Sequence, residues 1–188
     1  MHIRLLHKTN SRSQRILWLL EELQLDYEVV FCGANIPTQE LAPLQSNHPP
    51  TKFPTVQIFH DDLTEVITLS ETAAIADYLS HQLNALGISL LSGQEAHLYF
   101  YWKNFAEATF MPDLALKQIF AQIVARTPLS VRLVSKFLKF GFDRGYLNHA
   151  LQQHLLMINE HLKSHPYLAG NHFSIADLLL WFPLLACT

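Results

Sequence analysis

Polar and apolar positions alternate along residues 2–7, a period of two that reads as a strand. Residues 8–13 are polar and loop-like. Over 15–25 the period lengthens to that of a helix: Ile16, Leu19, Leu20 and Leu23 share one face, and Arg15, Glu21 and Glu22 are left for water. Residues 27–32 return to a strand, which Gly33-Ala34-Asn35 ends. A crossover of this length makes the two strands parallel. Residues 35–53 hold Pro37, Pro43, Pro49 and Pro50, so one short helix near 39–44 is all the pattern predicts there. Strands at 55–59 and 65–69 follow, joined through His60-Asp61-Asp62. An Ala-rich helix begins near residue 72, with Ala74, Ile75, Tyr78 and Leu79 on one face. The order is β-α-β-α-β-β-α.

After residue 80 the strand pattern stops. A helical stretch starts at 94 and runs to about 126, with Met111-Pro112 expected to kink or split it. Further helices are predicted at 129–142, ended near Gly141 or Gly145, at 148–164, closed by His165-Pro166, and from 174 to about 185. The division is therefore an α/β domain at 1–82, a linker at 83–92, and an all-helical domain at 93–188.

Composition narrows the function classes. With 49% hydrophobic residues over 188 positions the chain has ample material for a core. A net charge of −3 gives no electrostatic case for nucleic acid. The two cysteines, Cys32 and Cys187, form no CxxC and no disulfide framework, which suits a reducing cytoplasm. The N-terminus has no signal-peptide core. The longest apolar run, 178–187, is about half of what a membrane span needs and contains Pro183.

Candidate chemistry gathers at three places in the first domain. Ser70-Glu71-Thr72 sets an acid and a hydroxyl at a helix start, where free N–H groups and the dipole favour an anion. The same residues are also ordinary capping residues. Pro54 precedes a strand. It reads as a trans strand-start proline, or as a cis Phe53-Pro54 bond that presents the Phe53 backbone to an extended peptide ligand. Ser11 lies in the first strand-to-helix loop, at the carboxyl end of a strand. It reads as an N-cap, or as a hydroxyl donating to a thiolate; no His or Asp spacing suggests an acyl-transfer triad around it.

In the second domain, Ser174-Ile175-Ala176-Asp177 is a capping box, with Ser174 and Asp177 structural. His161 and His165 are four apart and His154 lies seven before His161. No acidic or Cys partner completes a metal set at helical spacing, so no metal is expected. The aromatic run 99–110 reads as core plus an interface, or as the wall of an apolar substrate pocket through Trp102, Phe105 and Phe110.

Four motifs, at 11–23, at Lys52-Phe53-Pro54, at 69–79, and at Tyr167-Leu168-Ala169-Gly170 with 173–177, together resemble the cytosolic glutathione S-transferase superfamily. Members with a Ser-Arg-Ser first loop are the nearest in kind. The resemblance implies a thioredoxin-like first domain holding glutathione as co-substrate, a helical second domain and a homodimer. It implies that Ser11 stabilises the glutathione thiolate and that the Phe53 backbone, before a cis Pro54, pairs with the cysteinyl part. Glu71 and Thr72 then hold the γ-glutamyl end, and Lys52 lies near the glycine carboxylate. Thr72 stands where serine is usual and Thr51 where glycine is frequent.

The roles also suit the chemistry. A thiol with a pKa near 8.5 needs about 2.7 kcal/mol of preferential thiolate stabilisation to drop two units. One charge-assisted hydrogen bond and a helix N-terminus supply that much. The implied activity is conjugation of glutathione to small apolar electrophiles, a detoxification chemistry. The alternatives are glutathione-dependent disulfide or peroxide reduction, and a non-catalytic binding module on the same fold.

Overall fold

The computed structural model describes residues 1–32, 53–60, 66–91 and 93–187. The expected helix at 39–44, the Asp61-Asp62 turn and Lys52 lie outside them. The chain divides into two compact units, Met1–Ser92 and Gly93–Thr188.

The first unit is a four-stranded sheet in the order β2-β1-β3-β4. The strands are β1 (His2–His7), β2 (Asp26–Phe31), β3 (Thr55–Phe59) and β4 (Ile67–Ser70). β1 pairs parallel with β2, in the register His2 with Asp26 through His7 with Phe31. That is the outcome of routing the chain through α1 (Ser13–Glu22) between them. β3 is antiparallel to both β1 and β4. Helix α2 (Thr72–Leu83) follows β4 and ends on Asn84, whose left-handed backbone (φ 49°) closes the last turn.

Ile3, Leu5, Val56 and Ile58 of the sheet are fully buried with Ile16, Leu19 and Leu20 of α1 and Ile75, Ala76 and Leu79 of α2. Each larger side chain here contributes about 2 kcal/mol of burial. Two details differ from the helical pattern in the sequence. Arg15 is completely buried rather than wet, because its position shares the face of Leu19 where α1 packs on α2. On α2 the buried stripe is Thr72, Ile75, Ala76, Leu79 and Ser80; Ala74 is exposed and Tyr78 half-buried, its hydroxyl 3.3 Å from His60 Nε2.

The second unit is helical. Its elements are α3 (Gly93–Asn104), a π-helical turn (Phe105–Phe110), α4 (Met111–Arg126), α5 (Arg132–Phe142), a second π turn (Asp143–Leu147), α6 (Asn148–Leu162) and α7 (Ile175–Leu185). The expected break at Met111-Pro112 takes the form of the first π turn. Pro112 has no N–H for the Ala108 carbonyl, and the wider turn absorbs the loss. The expected stop at Gly141 or Gly145 does not occur: the backbone continues through the second π turn into α6, pinned by the fully buried Leu147. Packing here outweighs the low helix propensity of glycine. Among the described residues no helix is long and apolar enough to cross a membrane.

Helix α5 faces the opposite way to most surface helices. Ser135 is buried, Arg132 Nε donates to the Thr127 carbonyl (3.1 Å), and Lys139 pairs with Asp143. Its apolar residues Leu133, Val134, Phe137, Leu138 and Phe140 are between 60% and 72% exposed.

Candidate functional site

The first unit contains a cavity of about 270 Å³ lined by Arg12, Phe53, Pro54, Glu71 and Thr72. Three pieces of chain build it. The loop after β1 brings Arg12, the approach to β3 brings Phe53 and Pro54, and the β4-to-α2 junction brings Glu71 and Thr72. β1 and β3 are neighbours and β4 borders β3, so the sheet order sets these loops side by side. Four of the residues singled out in the sequence thus share one wall. The Phe53-Pro54 bond is cis. Phe53, like Val30, packs on Leu6 and Cys32, which fixes that side of the opening.

The β4-to-α2 junction is tight. Thr55 and Ser70 hydroxyls meet at 2.7 Å across the β3–β4 ladder. Glu71 then turns with φ 74° and ψ 122°, outside the usual range for a residue with a side chain, and its carbonyl accepts the Ile75 N–H at 3.0 Å. The turn leaves the Glu71 side chain exposed at the rim and the Thr72 side chain buried beneath it. The Thr72 hydroxyl oxygen accepts from Arg15 Nη2 at 3.4 Å. With that lone pair occupied, the hydroxyl proton is left for an acceptor in the cavity. The α2 N-terminus adds unsatisfied N–H groups and positive potential.

Ser11 lies one residue before the cavity wall at Arg12. It is half-buried, and its hydroxyl donates to the Lys8 carbonyl at 2.6 Å. Its oxygen is 2.7 Å from Ser13 Oγ and accepts the Ser13 N–H at 3.3 Å. Helix α1 begins at Ser13 with no side-chain cap from Arg12. The Ser11 hydroxyl therefore serves the mouth of α1 and faces a second hydroxyl. Ser13 Oγ in turn lies 2.9 Å from His7 Nδ1 and accepts the Lys8 N–H at 3.2 Å. Ser13 is fully buried and His7 is 6% exposed. Burial holds the His7 imidazole below its ordinary pKa of 6.5, so it is neutral at neutral pH.

The second unit holds the remaining candidates. Trp102, Phe105 and Phe110 are at most 7% exposed and pack on one another, Trp102 to Phe105 at 5.4 Å and Phe105 to Phe110 at 6.0 Å between ring centroids. That is core packing, one of their two readings. His154 lies edge-on to Phe105 and bonds Asp113 at 2.8 Å; His161 bonds the Leu168 carbonyl and stacks on His165 at 4.3 Å. Among the described residues no three His, Cys, Asp or Glu gather as a metal set. Asp177 accepts the Ser174 N–H (2.9 Å) and hydroxyl (2.9 Å) through one oxygen, and the Leu168 N–H (2.8 Å) through the other. It thus fastens the 167–170 turn to α7 as well as capping it.

Sequence reasoning missed Arg12, Arg15, Ser13 and His7. A signal existed for two of them. Arg12 is a cation in the loop already singled out, and Arg15 stands four residues before Leu19, on the packed face. His7 carried no signal, since a strand-end histidine is unremarkable until its neighbours are known.

Chemically the cavity offers a carboxylate beside a hydroxyl, a helix N-terminus and a guanidinium. That set suits a ligand end carrying both an ammonium and a carboxylate.

Residues 11–82 match the family model for the glutathione S-transferase N-terminal domain. Glutathione S-transferase 3 of Schizosaccharomyces pombe is 33% identical over 96% of this chain and 72% of its own length. Among solved structures, the theta class glutathione S-transferase of the citrus canker pathogen Xanthomonas axonopodis pv. citri, with glutathione bound, is 25% identical. It aligns over 95% of this chain and 78% of its own, with a TM-score of 0.63. A glutathione transferase family member from Pseudomonas fluorescens, with two glutathione bound, aligns over 97% and 75% at 19% identity and a TM-score of 0.70.

Proposed function

The chain belongs to the glutathione S-transferase superfamily, and from that premise we propose that it conjugates glutathione to small apolar electrophiles, with Ser11 stabilising the thiolate. The observation that supports this reading is the shared cavity of Arg12, Phe53, Pro54, Glu71 and Thr72. Glutathione enters as an extended peptide. Its γ-glutamyl ammonium meets the Glu71 carboxylate. The carboxylate beside it meets the Thr72 hydroxyl, the α2 N-terminus and Arg12. The cysteinyl backbone pairs with the Phe53 backbone in the manner of an added strand. Lys52 takes the glycine carboxylate. The thiol then lies toward the first loop, where Ser11 turns its proton from the Lys8 carbonyl to the sulfur.

The attack itself forms a carbon–sulfur bond at the electrophile and expels its leaving group; the thiol proton has by then gone to solvent. Ser11 lowers the barrier by keeping the sulfur anionic before the encounter. The enzyme acts as a homodimer in a reducing cytoplasm, and sedimentation equilibrium checks the assembly.

Two measurements test the reading. Calorimetry with glutathione should show binding at submillimolar to millimolar concentration. Turnover with a chloronitrobenzene should fall about tenfold to a hundredfold in Ser11→Ala, the loss of one charge-assisted hydrogen bond. Full turnover in that variant would remove Ser11 from its role, and absence of glutathione binding would remove the conjugation reading altogether.

A further inference from the structure

We infer that His7 and Ser13 form a directed hydrogen-bond chain that positions the Ser11 proton for the glutathione thiolate. The inference rests on the reading of Ser11 given above and extends it to two residues that touch no ligand.

Ser11 has a single hydroxyl proton. It serves a thiolate best when the Ser11 oxygen is itself supplied by other donors, which polarise the O–H. Two stand in place: the Ser13 hydroxyl at 2.7 Å and the Ser13 N–H at 3.3 Å. Ser13 likewise has one proton and three acceptors within reach. These are Ser11 Oγ at 2.7 Å, His7 Nδ1 at 2.9 Å and the Lys8 carbonyl at 3.1 Å.

The His7 tautomer decides among them. With the proton on Nδ1, His7 donates to Ser13 Oγ alongside the Lys8 N–H at 3.2 Å. Ser13 then donates along its shortest contact, to Ser11, and the Ser11 proton has only the Lys8 carbonyl at 2.6 Å to leave for sulfur. With Nδ1 bare, the imidazole is the strongest neutral acceptor nearby and draws the Ser13 proton. Ser13 then supplies nothing to the Ser11 oxygen, and the Ser11 hydroxyl meets sulfur without that polarisation.

Ser13 is fully buried and His7 nearly so, so water does not compete inside the chain. Phe31 of β2 packs edge-on against the imidazole at 5.4 Å, and Ser13 of α1 meets it; neither titrates near neutral pH. Each donor in such a chain polarises the next, strengthening the last bond by about 10–30% per link. His7 and Ser13 are positioning residues: they act through Ser11 and never meet the sulfur.

The experiment reads the tautomer and the thiol. Long-range proton–nitrogen NMR of the whole protein should place the His7 proton on Nδ1; a proton on Nε2 alone overturns the chain. The glutathione thiol in the complex, followed by thiolate ultraviolet absorbance, should titrate about half to one unit higher in His7→Leu. Turnover at neutral pH should fall about three- to tenfold with the KM for glutathione held within about twofold. His7→Asn, which returns an N–H near the Nδ1 position, should restore most of both. A His7→Leu thiol that titrates as in the wild type overturns the chain alone, provided Ser11→Ala shifts it. No shift in Ser11→Ala overturns the reading of Ser11 and the chain's purpose together. If His7→Leu does not fold, the NMR tautomer and the Asn variant decide.

Discussion

Glu71 carries a side chain on backbone that favours glycine, with φ 74°. Such a residue costs of order 1–3 kcal/mol relative to an unstrained one. Glu71→Gly relieves that cost and removes the carboxylate. The variant should melt at a higher temperature while its glutathione affinity falls about tenfold or more. Glu71→Gln keeps the strain and loses only the charge, so it should bind weakly without any gain in melting temperature; paired thermal scans and calorimetry check both. Arg15 gives a second residue-level expectation. Arg15→Lys keeps the charge but loses the planar fork that reaches Thr72. Glutathione should bind about three- to tenfold more weakly, by calorimetry, although residue 15 lines no part of the cavity. Both effects turn on backbone angle and burial, which a linear sequence conceals. The position of Glu71 and Thr72 at a helix start was legible because acid and hydroxyl ahead of an apolar helical stripe is a local pattern. The support beneath them was not, because Arg15 meets Thr72 across 57 positions of chain.

At the scale of elements, the strands were legible to within about two residues, and the helices where a cap or a proline punctuates them. Ser174 and Asp177 begin α7 as the local spacing demands. Ser174→Ala should cost roughly 1 kcal/mol. Asp177→Asn should cost more, about 1–3 kcal/mol, since its second oxygen also holds Leu168; urea unfolding of the two variants gives the ordering. The glycine stops were misleading for a physical reason. A glycine ends a helix only when no neighbouring contact holds the next turn, and Leu147 supplies such a contact. The two π turns had no sequence signature beyond Pro112. They arise where packing demands an extra residue per turn.

For the whole molecule, the buried His7 and the half-buried His161 shape the acid response, opposed by Asp177, whose carboxyl burial holds above the usual range. Burial is the main cause that holds both His7 and His161 below 6.5; for His161 a neighbouring His165 adds to it and the Leu168 carbonyl opposes it. As pH falls below 6.5 the unfolded chain takes up protons at these positions first, so it binds more protons than the folded one and stability declines. The urea midpoint should therefore drop between neutral pH and about pH 5.5, before most carboxylates titrate. A midpoint that is flat over that window would show that these histidines protonate freely in the folded chain. The helical unit also keeps a consequence of the outward-facing α5. Five large apolar side chains in water, on a chain with an isoelectric point near 6.4, have little charge to hold copies apart in mildly acidic buffer. Apolar attraction strengthens on warming and in sulfate salts. Turbidity should thus rise with temperature near pH 6.4, recede in mildly alkaline buffer, and shrink in Phe137→Glu, whose exposed position leaves the fold within about 0.5 kcal/mol of wild type. A solution of this protein is best kept cool, alkaline and free of sulfate.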